Sequence, residues 1–261
     1  MNLLDKFEDI VIQNKERIDY EDKEICEELQ QSWNGLIQYK EKLEVFLNNN
    51  PVNNIFYSNA VVYKSFQSLI HDKRKSFISK VIYHFKNKYK VNLPIDTITR
   101  KLDGKNPLHY EHILDLIFDE LGGMTFYERA VSEVKSRCRQ ILSRNSEVKV
   151  IKNKLSISNL VYWSIWGNIY SVGYSDTSIN NLFIGLSHFS CGNVEMLGRF
   201  KTLYKHLSDR YKKEIDIFSL QNIGEEKIDS IKFYKNGKVE IHFEDKSYAE
   251  QFKKEYINYN F

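Results

Sequence analysis

Apolar residues recur at helical spacing through the first half of the chain, and the period shortens after residue 147. Leu3, Phe7, Ile10, Val11 and Ile18 outline a first amphipathic helix. Ile25, Leu29, Trp33, Leu36, Leu43 and Leu47 outline a second, from Asp22 to Leu47, with Gly35 as its weak point. The two are expected to form an antiparallel pair. Asn48-Asn49-Asn50-Pro51 ends the second, because neither an asparagine run nor a proline continues a helix. A basic helical block follows, to Lys90, with Phe77, Ile78, Val81, Ile82, Phe85 and Tyr89 on one face. Pro94 and Asp96 start a short helix through Leu102, and Asp103-Gly104 turns the chain. Asn106-Pro107 has the form of an N-cap followed by proline at the first helical position, predicting a helix to Leu121 that stops at Gly122-Gly123. Thr125 and Glu128 form a capping box for a further helix, whose core face is Val131, Val134, Cys138, Ile141 and Leu142.

From Glu147 the alternation of Val148 and Val150, then Leu155 and Ile157, predicts two strands around Lys152-Asn153-Lys154. Residues 158–170 fit a strand or a buried helix equally. Residues 178–189 read as a helix, and Met196, Phe200, Leu203, Tyr204, Leu207 and Tyr211 outline another. In Ser230 to Phe243, Asn236-Gly237 signals a hairpin. A two-residue loop would split the apolar set between faces. A three-residue loop, Lys235-Asn236-Gly237, pairs Phe233 with Val239, Ile231 with Ile241, and Lys232 with Glu240, so the buried face selects it. Ser247 and Glu250 then cap a helix carrying Tyr248, Phe252 and Tyr256. A lone two-stranded ribbon is marginal, and the strands near 148–157 are the natural partners.

The predicted class is α+β: an acidic helical part (1–50), a basic helical middle (51–146), and an α+β part (147–261) with a small antiparallel sheet. Residues 1–50 hold 12 acids and 6 bases, a net of −6; residues 51–110 hold 3 acids and 11 bases, a net of +8. Ends of opposite charge either neutralise each other or address different partners. Cys26, Cys138 and Cys191 are far apart and odd in number, which fits a reduced, cytoplasmic protein with buried thiols. No leader pattern opens the sequence and no apolar run reaches membrane length.

Candidate chemistry dissolves on inspection. His109, His112, Asp115 and Asp119 share one helix side, but the spacing H-Y-E-H is not a zinc-protease motif, and a solvated stripe explains it. Asp229, Glu240 and His242 lie near the hairpin as nuclease carboxylates do, but the lysine expected two residues after the glutamate is His242. Lys232–Glu240 reads as a cross-strand surface pair. No sequence base accompanies Cys138 or Cys191, and no phosphate-loop glycine spacing exists. No catalytic residue, metal or cofactor is expected.

Two surfaces remain. The stretch 155–193 carries one formal charge, Asp176, in a chain that is 28% charged. Its Tyr162, Trp163, Trp166, Tyr170 and Tyr174 are residues typical of protein interfaces, and core burial explains the same composition. The basic stretch 73–154 offers Lys73, Arg74, Lys75, Lys80, Lys86, Lys88, Arg100 and Lys101 to a phosphate backbone.

Leu121-Gly122-Gly123 with Thr125-Phe126-Tyr127-Glu128-Arg129-Ala130, and Ile231 through Phe243 with Ala249 and Phe252, resemble accessory proteins carried by phages and mobile elements of low-GC bacteria. The resemblance covers the C-terminal two thirds and implies an accessory protein acting on host machinery, such as an inhibitor of an antiviral defence complex. The leading expectation is therefore a non-enzymatic, oligomeric protein that binds a host enzyme complex and blocks it sterically. The alternative is a nucleic-acid binder using the basic block.

Overall fold

The computed structural model describes residues 14–49, 59–142, 146–166, 169–173, 177–209 and 216–258. The fold is α+β. It divides into two compact units, Met1–Phe126 and Tyr127–Phe261. The division differs from the boundaries expected after residues 50 and 146. Helix α1 (Tyr20–Asn49) packs on α2 (Asn59–Tyr89) across the first, and α5 (Phe126–Arg139) shares a core with the strands beyond the second. The expected first helix, 3–18, lies mostly outside the described residues; Asn14–Glu16 form a 3-10 turn.

In the first unit α1 and α2 are antiparallel. Asp22 meets His84 and Lys88, the Trp33 ring stacks on Phe77 at 5.8 Å, and Gln67 reaches Glu44. Helix α1 starts two residues earlier than the apolar pattern indicates, because Asp19 is its N-cap: Asp19 Oδ1 accepts the Asp22 N–H at 2.8 Å. Helix α3 (Ile95–Lys101) is short, as expected. Helix α4 (Tyr110–Leu121) starts three residues after Pro107, not at it. Buried Gln30 of α1 explains the shift. Its Oε1 accepts from the Tyr110 N–H at 2.7 Å and its Nε2 donates to the Leu108 carbonyl at 3.1 Å, so a tertiary amide takes over the helix start. His109 is the extended N-cap residue, and its N–H donates to His112 Nδ1 at 3.3 Å. The His109/His112 pair is thus a local capping device. Gly122 closes α4 in the left-handed conformation, as the sequence predicts.

The second unit is built on a five-stranded antiparallel sheet, ordered β1-β2-β7-β6-β5. Its strands are β1 (Val148–Ile151), β2 (Lys154–Ile157), β5 (Leu220–Glu225), β6 (Ile228–Phe233) and β7 (Val239–Phe243). The register is the one the buried face selects: Phe233 opposite Val239, Ile231 opposite Ile241, Lys232 opposite Glu240. Tyr234 and Lys238 close the loop by a backbone bond of 3.0 Å, leaving Lys235-Asn236-Gly237 as its three residues. Strand β2 joins β7, as expected, with Leu155 opposite Ile241. Leu155, Ile157, Ile231, Phe233, Val239, Ile241 and Phe243 face a core completed by α5, α6 (Ser178–Cys191) and α8 (Lys246–Phe252). Helix α7 (Gly198–Ser208) adds Phe200, Leu203 and Leu207. The N-cap of α8 is Asp245, whose Oδ1 accepts from the Ser247 N–H at 2.7 Å; Ser247, expected as the cap, is its donor.

A separate hairpin, β3 (Trp163–Trp166) and β4 (Ile169–Val172), resolves the ambiguous stretch 158–170: residues 158–162 are turn and loop, and strand begins at Trp163. It is pinned where the chain leaves β2: the Leu160 and Val161 N–H groups both donate to the Gly237 carbonyl, at 2.9 and 3.0 Å. Gly237 is also the loop residue with φ of 78°, and a β-carbon there would collide with the Val161 carbonyl. Gly237→Ala is therefore expected to destabilise the protein by about 2–4 kcal/mol, through backbone strain and collision together. Asn236→Ala beside it should cost less than about 1 kcal/mol. Urea unfolding of both variants measures the difference, and equal midpoints would contradict the assignment.

Candidate nucleic-acid interface

Between residues 73 and 90 the sequence holds seven Lys or Arg and no Asp or Glu. Helix geometry sorts them, at about 100° per residue. Phe77, Ile78, Val81, Ile82 and Phe85 form the buried side of α2. Arg74 and Lys88 lie along that side, one turn before Phe77 and Ile78 and one turn after Phe85. Both are consumed internally. Arg74 donates to the Leu102 and Lys105 carbonyls at 2.8 and 2.6 Å, holding the turn after α3. Lys88 Nζ reaches Asp22 at 2.7 Å, Asp19 at 2.8 Å and Glu21 at 3.2 Å.

Asp22 is the centre of this node. Its carboxylate is fully buried and also receives His84 Nε2 at 2.6 Å and the Tyr89 hydroxyl at 2.5 Å. Water is replaced by donors, as a buried charge requires. The electrostatics agree. Burial pulls the Lys88 ammonium down, but its bonds to Asp19, Asp22 and Glu21 outweigh that and hold its pKa above the ordinary lysine range. Burial and the Asp22 bond push the Tyr89 hydroxyl up, and the Lys88 bond holds the Asp19 carboxyl down. The acidic start of the described chain thus docks on one point of the basic block.

The other predicted phosphate contacts separate cleanly. Lys101 pairs with Glu120 at 3.0 Å, and the Arg100 side chain bonds the Asp96 carbonyl at 3.4 Å. Lys73, Lys75 and Lys80 are exposed off the buried side, and Lys86, half-buried, flanks it. Among the described residues none of these four has an ion pair or side-chain hydrogen bond. Tyr83 lies between them, 48% exposed, with Ser76, Ser79 and Asn87 on the same outward side. Asp72 bounds this surface at its N-terminal end.

In the second unit, the aromatic stretch is mainly core. Trp163 is 8% exposed; its Nε1–H donates to the Tyr234 carbonyl at 2.9 Å and its ring meets Phe218 and Phe233 edge-on. Tyr170 is half-buried against Phe218. Tyr162 and Ile165 are exposed, at 77% and 57%. The Trp166 side chain and Tyr174 lie outside the described residues.

The hairpin cluster is a hydrogen-bonded sheet face. Ser230 Oγ donates to Asp229 at 2.7 Å and lies 3.2 Å from His242 Nδ1. Glu240 pairs with Lys238 at 2.8 Å and accepts from the Tyr234 hydroxyl at 2.7 Å, so its ion partner is Lys238, not the cross-strand Lys232. Burial favours the carboxylic acid form of Glu240, yet Lys238 and Tyr234 prevail and lower its pKa. Burial, then Lys154, lowers that of His242. Among the described residues no group of three His, Cys, Asp or Glu is placed to hold a metal. Cys26 and Cys138 are buried, and burial pushes both thiols up to about 12, far from a nucleophile's range. Exposed Cys191 donates its thiol to the Ser187 carbonyl. Among the described residues no helix is long and apolar enough to cross a membrane. Comparison with protein-family models, curated proteins and solved structures finds no match, so the functional reading stands on this geometry alone.

Proposed function

We propose that this chain is a non-catalytic binding protein whose first unit holds nucleic acid on the outward side of α2. One observation carries the reading: the helix spends its inward cations on internal partners and leaves Lys73, Lys75, Lys80 and Lys86 without an ion pair among the described residues, around an exposed tyrosine. Four lysines neutralising four phosphates give a log–log salt slope of about −3.6, so affinity should drop about a hundredfold between 50 and 200 mM NaCl. Lys80→Glu with Lys86→Glu should abolish binding while the far-ultraviolet dichroism stays unchanged. Fluorescence anisotropy with labelled polynucleotides checks both. No anisotropy change with any DNA or RNA at 50 mM would eliminate the reading.

A second reading, binding to a protein partner, is favoured by Tyr162 and Ile165, exposed beside the anchored Trp163 on the β3–β4 hairpin. The resemblance to phage accessory proteins supplies its most specific form, steric inhibition of a host complex. Self-association through this hairpin predicts a light-scattering mass above 31.0 kDa that falls to the monomer value in Tyr162→Ser/Ile165→Ser. A monomeric wild-type chain at all concentrations would remove the self-association form.

A further inference from the structure

The outward lysines of α2 fall into two rails. At about 100° per residue, Lys73 and Lys80 lie within about 20° of each other around the helix axis, as do Lys75 and Lys86. The rails are about 140° apart, and Tyr83 lies on the line midway between them. Ser76, Ser79 and Asn87 lie in the same interval. From Lys73 to Lys86 the surface runs about 20 Å.

Resting on the nucleic-acid reading above, the geometry points to duplex DNA as the ligand, with α2 lying along the major groove. An α-helix with its side chains is about 10–12 Å across, and the B-form major groove is about 12 Å wide between two phosphate walls. A helix lying there meets phosphates on both flanks and base edges along the line between. That is the distribution found here: ammonium groups on both flanks, and hydroxyl and amide groups on the intervening line. Asn87 is the one amide on that line, with a separate donor and acceptor side by side to match the acceptor and donor that adenine presents in the groove. A single strand has one phosphate line and would engage one rail. Double-stranded RNA has a deep, narrow major groove that does not admit a helix. The node at Asp22 matters here because it holds α2 in the one rotation that turns both rails outward.

The test is anisotropy of the full chain with a 20-base-pair DNA duplex, its separate single strands and an RNA duplex of the same sequence, from 50 to 200 mM NaCl. Expected is tighter binding to the DNA duplex than to either other ligand. Lys73→Gln/Lys80→Gln and Lys75→Gln/Lys86→Gln should each flatten the salt slope by about 1.8, because each pair removes two phosphate contacts. Tyr83→Ala should weaken duplex binding without changing the slope, as an uncharged contact does. Lys73, Lys75 and Lys80 are exposed and Lys86 is half-buried, and thermal melts that match wild type confirm that the variants fold. Slope loss from one rail only, or equal or tighter binding of single strands or RNA, would overturn the major-groove assignment while leaving the nucleic-acid reading in place. Absence of binding to all three ligands would overturn both.

Discussion

A carboxylate with no access to water sits at the junction of α1 and α2. Asp22 is surrounded by the Lys88 ammonium, the His84 ring and the Tyr89 hydroxyl, all from the last turns of α2. Leaving such a charge unpaired costs roughly 3–5 kcal/mol, so the two helices have one acceptable rotation relative to each other. The ends match by dipole as well. The first turn of α1 carries Glu21 and Asp22, and the last turn of α2 carries Lys86 and Lys88, each sign at its favoured end. Burial of Phe77, Val81 and Phe85 supplies most of the adhesion, but apolar contacts tolerate rotation and slippage. The ion node does not. It decides which lysines become internal partners and which are turned outward.

The second unit uses its polar groups differently. Its sheet buries one face, and the groups on the other satisfy each other: Ser230 with Asp229 and His242, Glu240 with Lys238 and Tyr234. His242 is the exception: its Nδ1 faces Ser230, but its buried Nε2 has no hydrogen-bond partner among the described residues. The tryptophan that looks like an interface residue is locked inward by a bond to the Tyr234 carbonyl, and this bond steadies the hairpin that displays Tyr162 and Ile165. Folding and display are thus coupled through one indole.

Much of this was legible in the sequence, and the failures share a cause. The β6–β7 register followed from requiring one buried face, and the α2 core from periodicity alone. Strand β5 was missed because LQNIGE has only Leu220 and Ile223 to show, and Leu220 is on the exposed edge. The α4 start was misplaced because Gln30, some 80 residues earlier, supplies the acceptor for Tyr110. At the candidate interface, composition gave eight cations without ranking them. A signal was present: Arg74, Phe77 or Ile78, Val81, Phe85 and Lys88 follow one another at spacings of three or four, so the two cations continue the apolar line. What no local pattern could supply was Asp22 at the far end of another helix.

The account turns on the division of the lysines between residues 73 and 88 of α2: Lys88 is held, while Lys73, Lys75, Lys80 and Lys86 have no ion pair among the described residues, and amine reactivity reads that division directly. Acylation of the native chain at pH 8, followed by peptide mass mapping over time, should modify Lys73, Lys75, Lys80 and Lys86 several-fold faster than Lys88, whose ammonium is held by three carboxylates. Lys88 reacting as fast as Lys80 in the folded protein would contradict the node and the orientation of α2 that depends on it.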